Sequence, residues 1–328
     1  MPAGRTIGVD LGGTKLLAGA VDAGLGVHHR AQRNVVGLDQ SALLETAVDA
    51  VQEVCESAGG EVAGVGFGIP CLIDQRTGTA VIAVNLPLAD IAFGDVMAER
   101  LGRPVFVDND ANVTALAEHR AGAARGASEA VVLTIGTGIG GGLILHGQLY
   151  RGAIGAAAEL GHTVIDMHGP QCQGNCPNRG CVESLASGTA LAREALLIAE
   201  QRPGSGLGRA LREGRELAGP VVTELAHDGD RAAIDAIELI GTRLGVAITS
   251  FVNIFNPQVV VIGGGVIAAG ELLLAPARAV VARCALSPSR EMVRIVAARF
   301  GAEAGMIGAA ALAFDGLAGP GGVRVTQA

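Results

Sequence analysis

Residues 7–21 read IGVDLGGTKLLAGAV, and the same device returns at residues 130–145 as AVVLTIGTGIGGGLIL. In each, an apolar run meets a turn of Gly and Thr and a second apolar run follows. Apolar runs bounded by glycine read as strands joined by a tight turn. The device occurs twice, and each copy is followed by segments with helical spacing. That pattern predicts two related α/β halves.

Around the first copy, Ile7–Val9, Leu16–Val21 and Val27–Arg33 form a three-stranded meander. Ser41–Ser57 has helical periodicity with Ser41 as N-cap, Val62–Ile69 is a strand, and a helix lies around Ile91–Leu101. Val105–Val107 is a strand, and Ala111–Ala121 is a helix with Asp110 placed to cap it. Around the second copy come helices at Val182–Glu200 and Ala232–Asn253. QVVVIGGGV at 258–266 is a strand ending in a glycine turn. A helix at Glu271–Ala282 and a strand at Val293–Ala297 follow. The expected division is an N-terminal α/β domain over 1–115 and a C-terminal α/β domain over 116–302. The last helix, at about 303–316, is expected to pack back on the first domain.

The chain has 328 residues, a length that suits two domains. Aromatic residues make up only 2%, so the core is built from Ala, Val, Leu and Ile. A net charge of -8 argues against a nucleic-acid partner, because a phosphate backbone needs a basic surface. No secretory leader pattern opens the sequence and no uninterrupted apolar run of about 18 residues occurs, so a membrane span is not expected and the cytoplasm is.

DLGGTK at 10–15 and TIGTGIGGG at 134–142 bring Gly, Thr and Asp into tight turns. Glycine lets backbone amides approach a ligand, successive amides and hydroxyls bind phosphate oxygens, and a carboxylate such as Asp10 holds Mg²⁺ through water. Either turn alone reads as a plain hairpin. Together with Asp10 and the third glycine turn at Gly263, Gly264 and Gly265, they favour a nucleotide. The Walker spacing is absent, and neither hairpin turn opens a helix as a Rossmann motif requires.

VFVDNDANV at 105–113 ends a strand with Asp108, Asn109 and Asp110. A carboxylate there suits a general base as well as it suits an N-cap, and the residues alone leave both open. CQGNCPNRGC at 172–181 spends three of six cysteines in ten residues. With His162 ten residues upstream, Cys172, Cys176 and Cys181 make a Cys₃His set, a common closed Zn²⁺ site. Such a site is structural.

IGVDLGGTK, VDNDANVTALAE, TIGTGIGGGLI, ELGH and GCVES, in this order, resemble the ROK family of repressors and sugar kinases across nearly the whole chain. The resemblance implies an actin/hexokinase-type ATPase fold, with two α/β domains and an interdomain cleft closing over sugar and ATP. It implies that Asp10, Gly12, Gly13, Thr14 and Lys15 form the first phosphate turn, with Thr134, Gly136, Thr137 and Gly138 as the second. Gly263 to Gly265 would then serve the adenosine. It makes Asp110 the base, with Asn85, Asn109, Glu159, His162 and Glu183 contacting the sugar. Pro87 stands where glucokinases of the family have an aromatic residue. The family's zinc motif is C-x-C-G-x-x-G-C. Here the first spacing is C-x₃-C and Pro177 replaces the first Gly, so Cys172 is the departing ligand and His168 its substitute candidate.

The expected activity is ATP-dependent phosphorylation of a hexose, glucose first, with Mg²⁺ at the phosphates, in a homodimer or homotetramer. A sugar-responsive repressor of the same family is the alternative. It would need a DNA-binding segment before the first strand, which Ile7 already enters. A heat-shock-type ATPase would leave ELGH and GCVES unexplained. Because the phosphate turns lie elsewhere in the sequence, loss of the metal loop is expected to weaken sugar binding before ATP binding.

Overall fold

The computed structural model describes residues 4–59, 61–74, 79–83 and 86–319. Asn85, an expected sugar contact, lies outside the described residues. The chain forms two compact units. The first is Met1–Gly126 with Gly142–Ala158 and Arg299–Ala328; the second is Ala127–Gly141 with Glu159–Ala298.

In chain order the first unit holds β1 (Arg5–Leu11), β2 (Lys15–Val21), β3 (Val27–Asn34), α1 (Gln40–Ser57), β4 (Val62–Ile69), β5 (Cys71–Asp74), β6 (Thr79–Ala83), β7 (Ala89–Ile91), α2 (Phe93–Leu101), β8 (Val105–Asn109) and α3 (Asp110–Ala121). Its main sheet has the order β3-β2-β1-β4-β8. The β1–β2 and β2–β3 pairs are antiparallel, while β1–β4 and β4–β8 are parallel. Helix α1 begins one residue before the sequence expectation and is capped by Asp39, whose carboxylate accepts from Ala42 N at 2.9 Å. An antiparallel β5-β6-β7 sheet was not foreseen, since strands of three to five residues carry too little period to register.

The chain continues with β9 (Ala130–Ile135), β10 (Ile139–Leu145), β11 (Gln148–Leu149), α4 (Val182–Ala186), α5 (Gly188–Gln201), α6 (Gly206–Arg212), α7 (Gly219–His227), α8 (Arg231–Phe255), β12 (Val259–Gly263), α9 (Glu271–Cys284), α10 (Ser289–Met292), β13 (Arg294–Ala297) and α11 (Ala304–Ala318). The second sheet has the order β11-β10-β9-β12-β13, with β12 parallel to both neighbours. The helix expected over Val182–Glu200 is two helices. Ser187 is extended and caps α5 by accepting from Ala190 N.

An expected division at 115 would cut α3, whose residues Ala111–Glu118 are all buried. It falls instead at Gly126. Residues from Gly142 stay with the first unit, because a Cβ on Gly142 would come within 2.5 Å of Ala115 Cβ on α3. Helix α11 is apolar apart from Asp315, which pairs with Arg120, and packs on β1, β4 and α3. Two glycines admit it: a Cβ on Gly8 would collide with the Met306 carbonyl, and one on Gly66 with that of Ala309. In the second unit, α8 is long and apolar enough to cross a membrane. It buries Ala232, Ala236, Ile240, Leu244, Ile248 and Phe251 and turns Arg231, Glu238 and Thr242 outward, the face pattern of a core helix.

Candidate active site and metal cluster

In the first unit, the β1–β2 turn is closed by Gly12 N donating to Lys15 O at 2.9 Å, and Thr14 O accepts from Val35 N. This sets Asp10, at the end of β1, beside the turn. Helix α11 approaches so closely that a Cβ on Gly305 would sit 2.6 Å from the Asp10 carboxylate. Burial, reinforced by the charge of Asp110 and opposed by Lys15, raises the Asp10 carboxyl to about 7.

The β8–α3 junction divides duties differently from the sequence expectation. The N-cap is Asn109, not Asp110: Asn109 Oδ1 accepts from Ala111 N at 2.9 Å and Asn112 N at 3.2 Å. Asp110 is the first helical residue. Its own Oδ1 also accepts from Ala111 N at 2.9 Å, so Asn109 and Asp110 share the first amide of the helix. Asp108 is fully buried and orders the junction. It accepts from Asn109 N, from Asn112 Nδ2 and from Arg151 Nε at 2.6 Å. Arg151 was not legible as a partner, because it lies 43 residues away in a loop.

In the second unit, Gly136 N donates to Gly138 O at 2.9 Å and closes the β9–β10 turn that carries Thr134 and Thr137. The turn is held from behind. Glu183 Oε2, in the first turn of α4, accepts from Ile139 N at 2.8 Å. Gly188 N donates to Gly136 O at 2.8 Å, and Thr189 Oγ1 to Thr137 O at 2.9 Å. The third glycine turn abuts the same place. Gly263 pairs with Thr134, and Gly264 has φ +84° with its Cα against the backbone of Ile135. A cavity of about 570 Å³ in the second unit is lined by His227, Glu238, Ala268, Gly270, Glu271 and Pro276, residues that do not include those of the turn.

Glu159 is exposed and precedes a 3-10 turn over Leu160–His162. His162, Cys172, Cys176 and Cys181 bring one ligand atom each to within 4.8 Å of one another. His168 is exposed and lies outside that cluster. Cys172 Sγ is 3.5 Å from His162 Nδ1, and Cys176 Sγ is 3.9 Å from Cys181 Sγ. A tetrahedral Zn²⁺ with Zn–S of ~2.3 Å and Zn–N of ~2.0–2.1 Å separates sulfur from sulfur by about 3.8 Å and sulfur from nitrogen by about 3.6 Å. The donor set therefore fits zinc, and the thiols are unbridged. Burial pushes the Cys172 and Cys181 thiols up, so they keep their protons until a cation displaces them.

Sequence separation misled on one point. Glu183, two residues after Cys181, touches the β9–β10 turn, so the thiol cluster is not remote from it.

Two α/β units, each with a glycine turn between the first strands of its sheet, define the class of two-domain sugar-kinase-type ATPases. The chain matches the ROK family over residues 6–315 and belongs to it. It is 36% identical to the glucokinase of Thermotoga maritima, over 97% of this chain and 100% of that protein. The structure resembles that of a ROK family glucokinase from Streptomyces griseus in complex with glucose and AMPPNP, with a TM-score of 0.85 and 34% identity, over 95% of this chain and 100% of that one. The xylose repressor of Bacillus subtilis is also similar, at 28% identity over 95% of this chain and 78% of that protein.

Proposed function

We propose that this protein phosphorylates glucose with ATP, giving glucose 6-phosphate and ADP. The observation that carries this reading is the full-length likeness to glucokinases, one of them crystallised with glucose and AMPPNP. The site chemistry supports it. Asp110 accepts the proton of the 6-hydroxyl as that oxygen bonds to the γ-phosphorus and ADP leaves. Asn109, with its Oδ1 engaged in capping, offers its Nδ2 to a sugar hydroxyl. Glu159, Glu183 and the Nε2 of His162, with Asn85, complete the sugar contacts. His162 turns Nδ1 to the thiols, which leaves Nε2 on the far side of the ring.

Asp10, Gly12, Gly13, Thr14 and Lys15 form one phosphate-binding turn, and Thr134, Gly136, Thr137 and Gly138 form a second. Gly263, Gly264 and Gly265 take the adenosine. Mg²⁺, bound through Asp10 and water, supplies charge neutralisation for the transferring phosphoryl group. His162, Cys172, Cys176 and Cys181 hold one structural Zn²⁺. Unbridged thiols agree with a reducing cytoplasm, and a homodimer or homotetramer is the expected assembly.

The test is a coupled assay of the purified chain over glucose, mannose, fructose, N-acetylglucosamine and N-acetylmannosamine, each with ATP or polyphosphate. Glucose with ATP should give the highest kcat/KM. Turnover of no hexose with either donor would overturn the reading. Hexose binding without transfer would favour the second one, a sugar-responsive regulator, which the repressor likeness supports.

A further inference from the structure

We infer that Glu183 is a positioning residue for the nucleotide as well as a sugar contact. It holds the second phosphate turn in shape through the Ile139 amide and ties that turn to the metal loop. The inference rests on the kinase reading above. Four observations in the second unit carry it.

Glu183 Oε2 accepts from Ile139 N at 2.8 Å, at the point where the turn becomes β10. The turn is built around this oxygen, since a Cβ on Gly138 would collide with it. Immediately after α4 the chain grips the turn again, through Gly188 N on Gly136 O and Thr189 Oγ1 on Thr137 O. At the other end of α4 stands Cys181, a member of the thiol cluster, whose carbonyl accepts from Ser184 Oγ at 2.9 Å.

Nine residues, Cys181–Thr189, thus touch the metal cluster at one end and the phosphate turn at the other. A carboxylate on a backbone amide is a charge-assisted hydrogen bond, stronger than a neutral one. It fixes which way the neighbouring amides point before a phosphate arrives, and such preorganisation is what a phosphate turn requires. Only Oε2 is engaged with the amide. Oε1 accepts a long, weak bond from Cys172 Sγ at 3.8 Å; a thiol that gives up its proton to a metal no longer donates it, which would leave Oε1 for a sugar.

The two duties separate by substitution. Glu183→Gln keeps an oxygen that can accept from Ile139 N–H, whereas Glu183→Ala keeps none. Binding of Mg²⁺-ADP without sugar, and of glucose without nucleotide, should each be measured by calorimetry on the zinc-loaded full chain. The expected result is that Glu183→Ala weakens ADP about tenfold or more, the scale of a lost charge-assisted bond. Glu183→Gln should stay within about threefold for ADP, while both variants lose glucose affinity. Gly138→Ala, which displaces the carboxylate without removing it, should weaken ADP as Glu183→Ala does. It keeps the test open if Glu183→Ala does not fold.

Wild-type ADP affinity in folded Glu183→Ala, or in Gly138→Ala if only that variant folds, would overturn the inference while the kinase reading stands. Failure of the unaltered chain to bind Mg²⁺-ADP would overturn both.

Discussion

The two glycine turns look alike in sequence, yet the two units support them differently. In the β1–β2 turn the acid belongs to the motif: Asp10 precedes Gly12 by two residues, and the backing comes from α11, whose Gly305 lies against its carboxylate. In the β9–β10 turn the motif has no acid. A carboxylate is imported from Glu183, 44 residues beyond the amide it holds, along with a clamp from Gly188 and Thr189. The lesson is that a strand–turn–strand motif specifies where backbone amides gather, while their stiffness is set by whatever packs behind them. The first turn carries an acid that a cation can use. In the second, one oxygen of the acid is already spent on a backbone amide.

The largest expected effect is at the acid outside both turns. Asp110→Asn should fold, keep the Asn109 cap and bind glucose, yet lose on the order of 10²–10⁴ in kcat, the range for a general base. Near-normal turnover would leave Asp110 with a local structural role only.

Next comes the support of the second turn. Elemental analysis should find one Zn²⁺ per chain, and Cys181→Ser should lose it. Because α4 joins the cluster to the turn, metal loss should weaken both glucose and Mg²⁺-ADP, each read by calorimetry. The first turn has no such link, so the coupling of Mg²⁺ to Asp10 should survive. Unchanged affinity for both ligands in metal-free protein would show the cluster to be idle.

Much of this was legible. The apolar runs and glycine turns marked the strands of both main sheets except β11, and the thiol spacing with His162 marked the cluster. What was not legible depends on contacts far apart in sequence. Arg151 meets Asp108 across 43 residues, and nothing in RGAIG announces a buried ion pair. The break at Ser187 interrupts a stretch with continuous helical spacing, because Gly188 must reach the carbonyl of Gly136. Asn109 rather than Asp110 is the cap because the helix begins one residue earlier than expected, at Asp110, and the Asn109 side chain accepts from both Ala111 N and Asn112 N. The β5-β6-β7 sheet and helices α6 and α7, of seven and nine residues, are short elements with too few alternations or turns to read.

A smaller effect concerns pH and the first turn. Asp10 ionises at about 7 in the folded chain, above its ordinary value of 3.8, chiefly through burial. The fold therefore favours the protonated acid. That contribution to stability is fully present below pH 3.8 and is lost as the pH rises through about 7. Metal-free Asp10→Asn has no such loss. It should melt above the wild type at pH 8, and the gap should narrow as the pH falls towards 4. In the wild type, kcat/KM for Mg²⁺-ATP should fall on the acid side with a midpoint near 7, as the carboxylate that serves the cation takes up a proton. A stability gap independent of pH would remove Asp10 as its source.

The smallest effect tests the one cation that opposes this shift. Lys15 lowers the Asp10 value, against burial and Asp110, which raise it. Lys15 is exposed, so solvent screens its charge. Lys15→Met should therefore move the midpoint of the stability–pH curve of metal-free protein upward by a small amount. The shift should vanish in the Asp10→Asn background, where no carboxyl remains to feel the charge. It should also shrink in high salt, whereas the burial contribution should not. Using the metal-free protein matters, because Lys15 is also a proposed phosphate contact and its loss would change ATP kinetics for a second reason. A midpoint that stays put in low salt would show that the acid of the first turn is governed by burial and Asp110 alone.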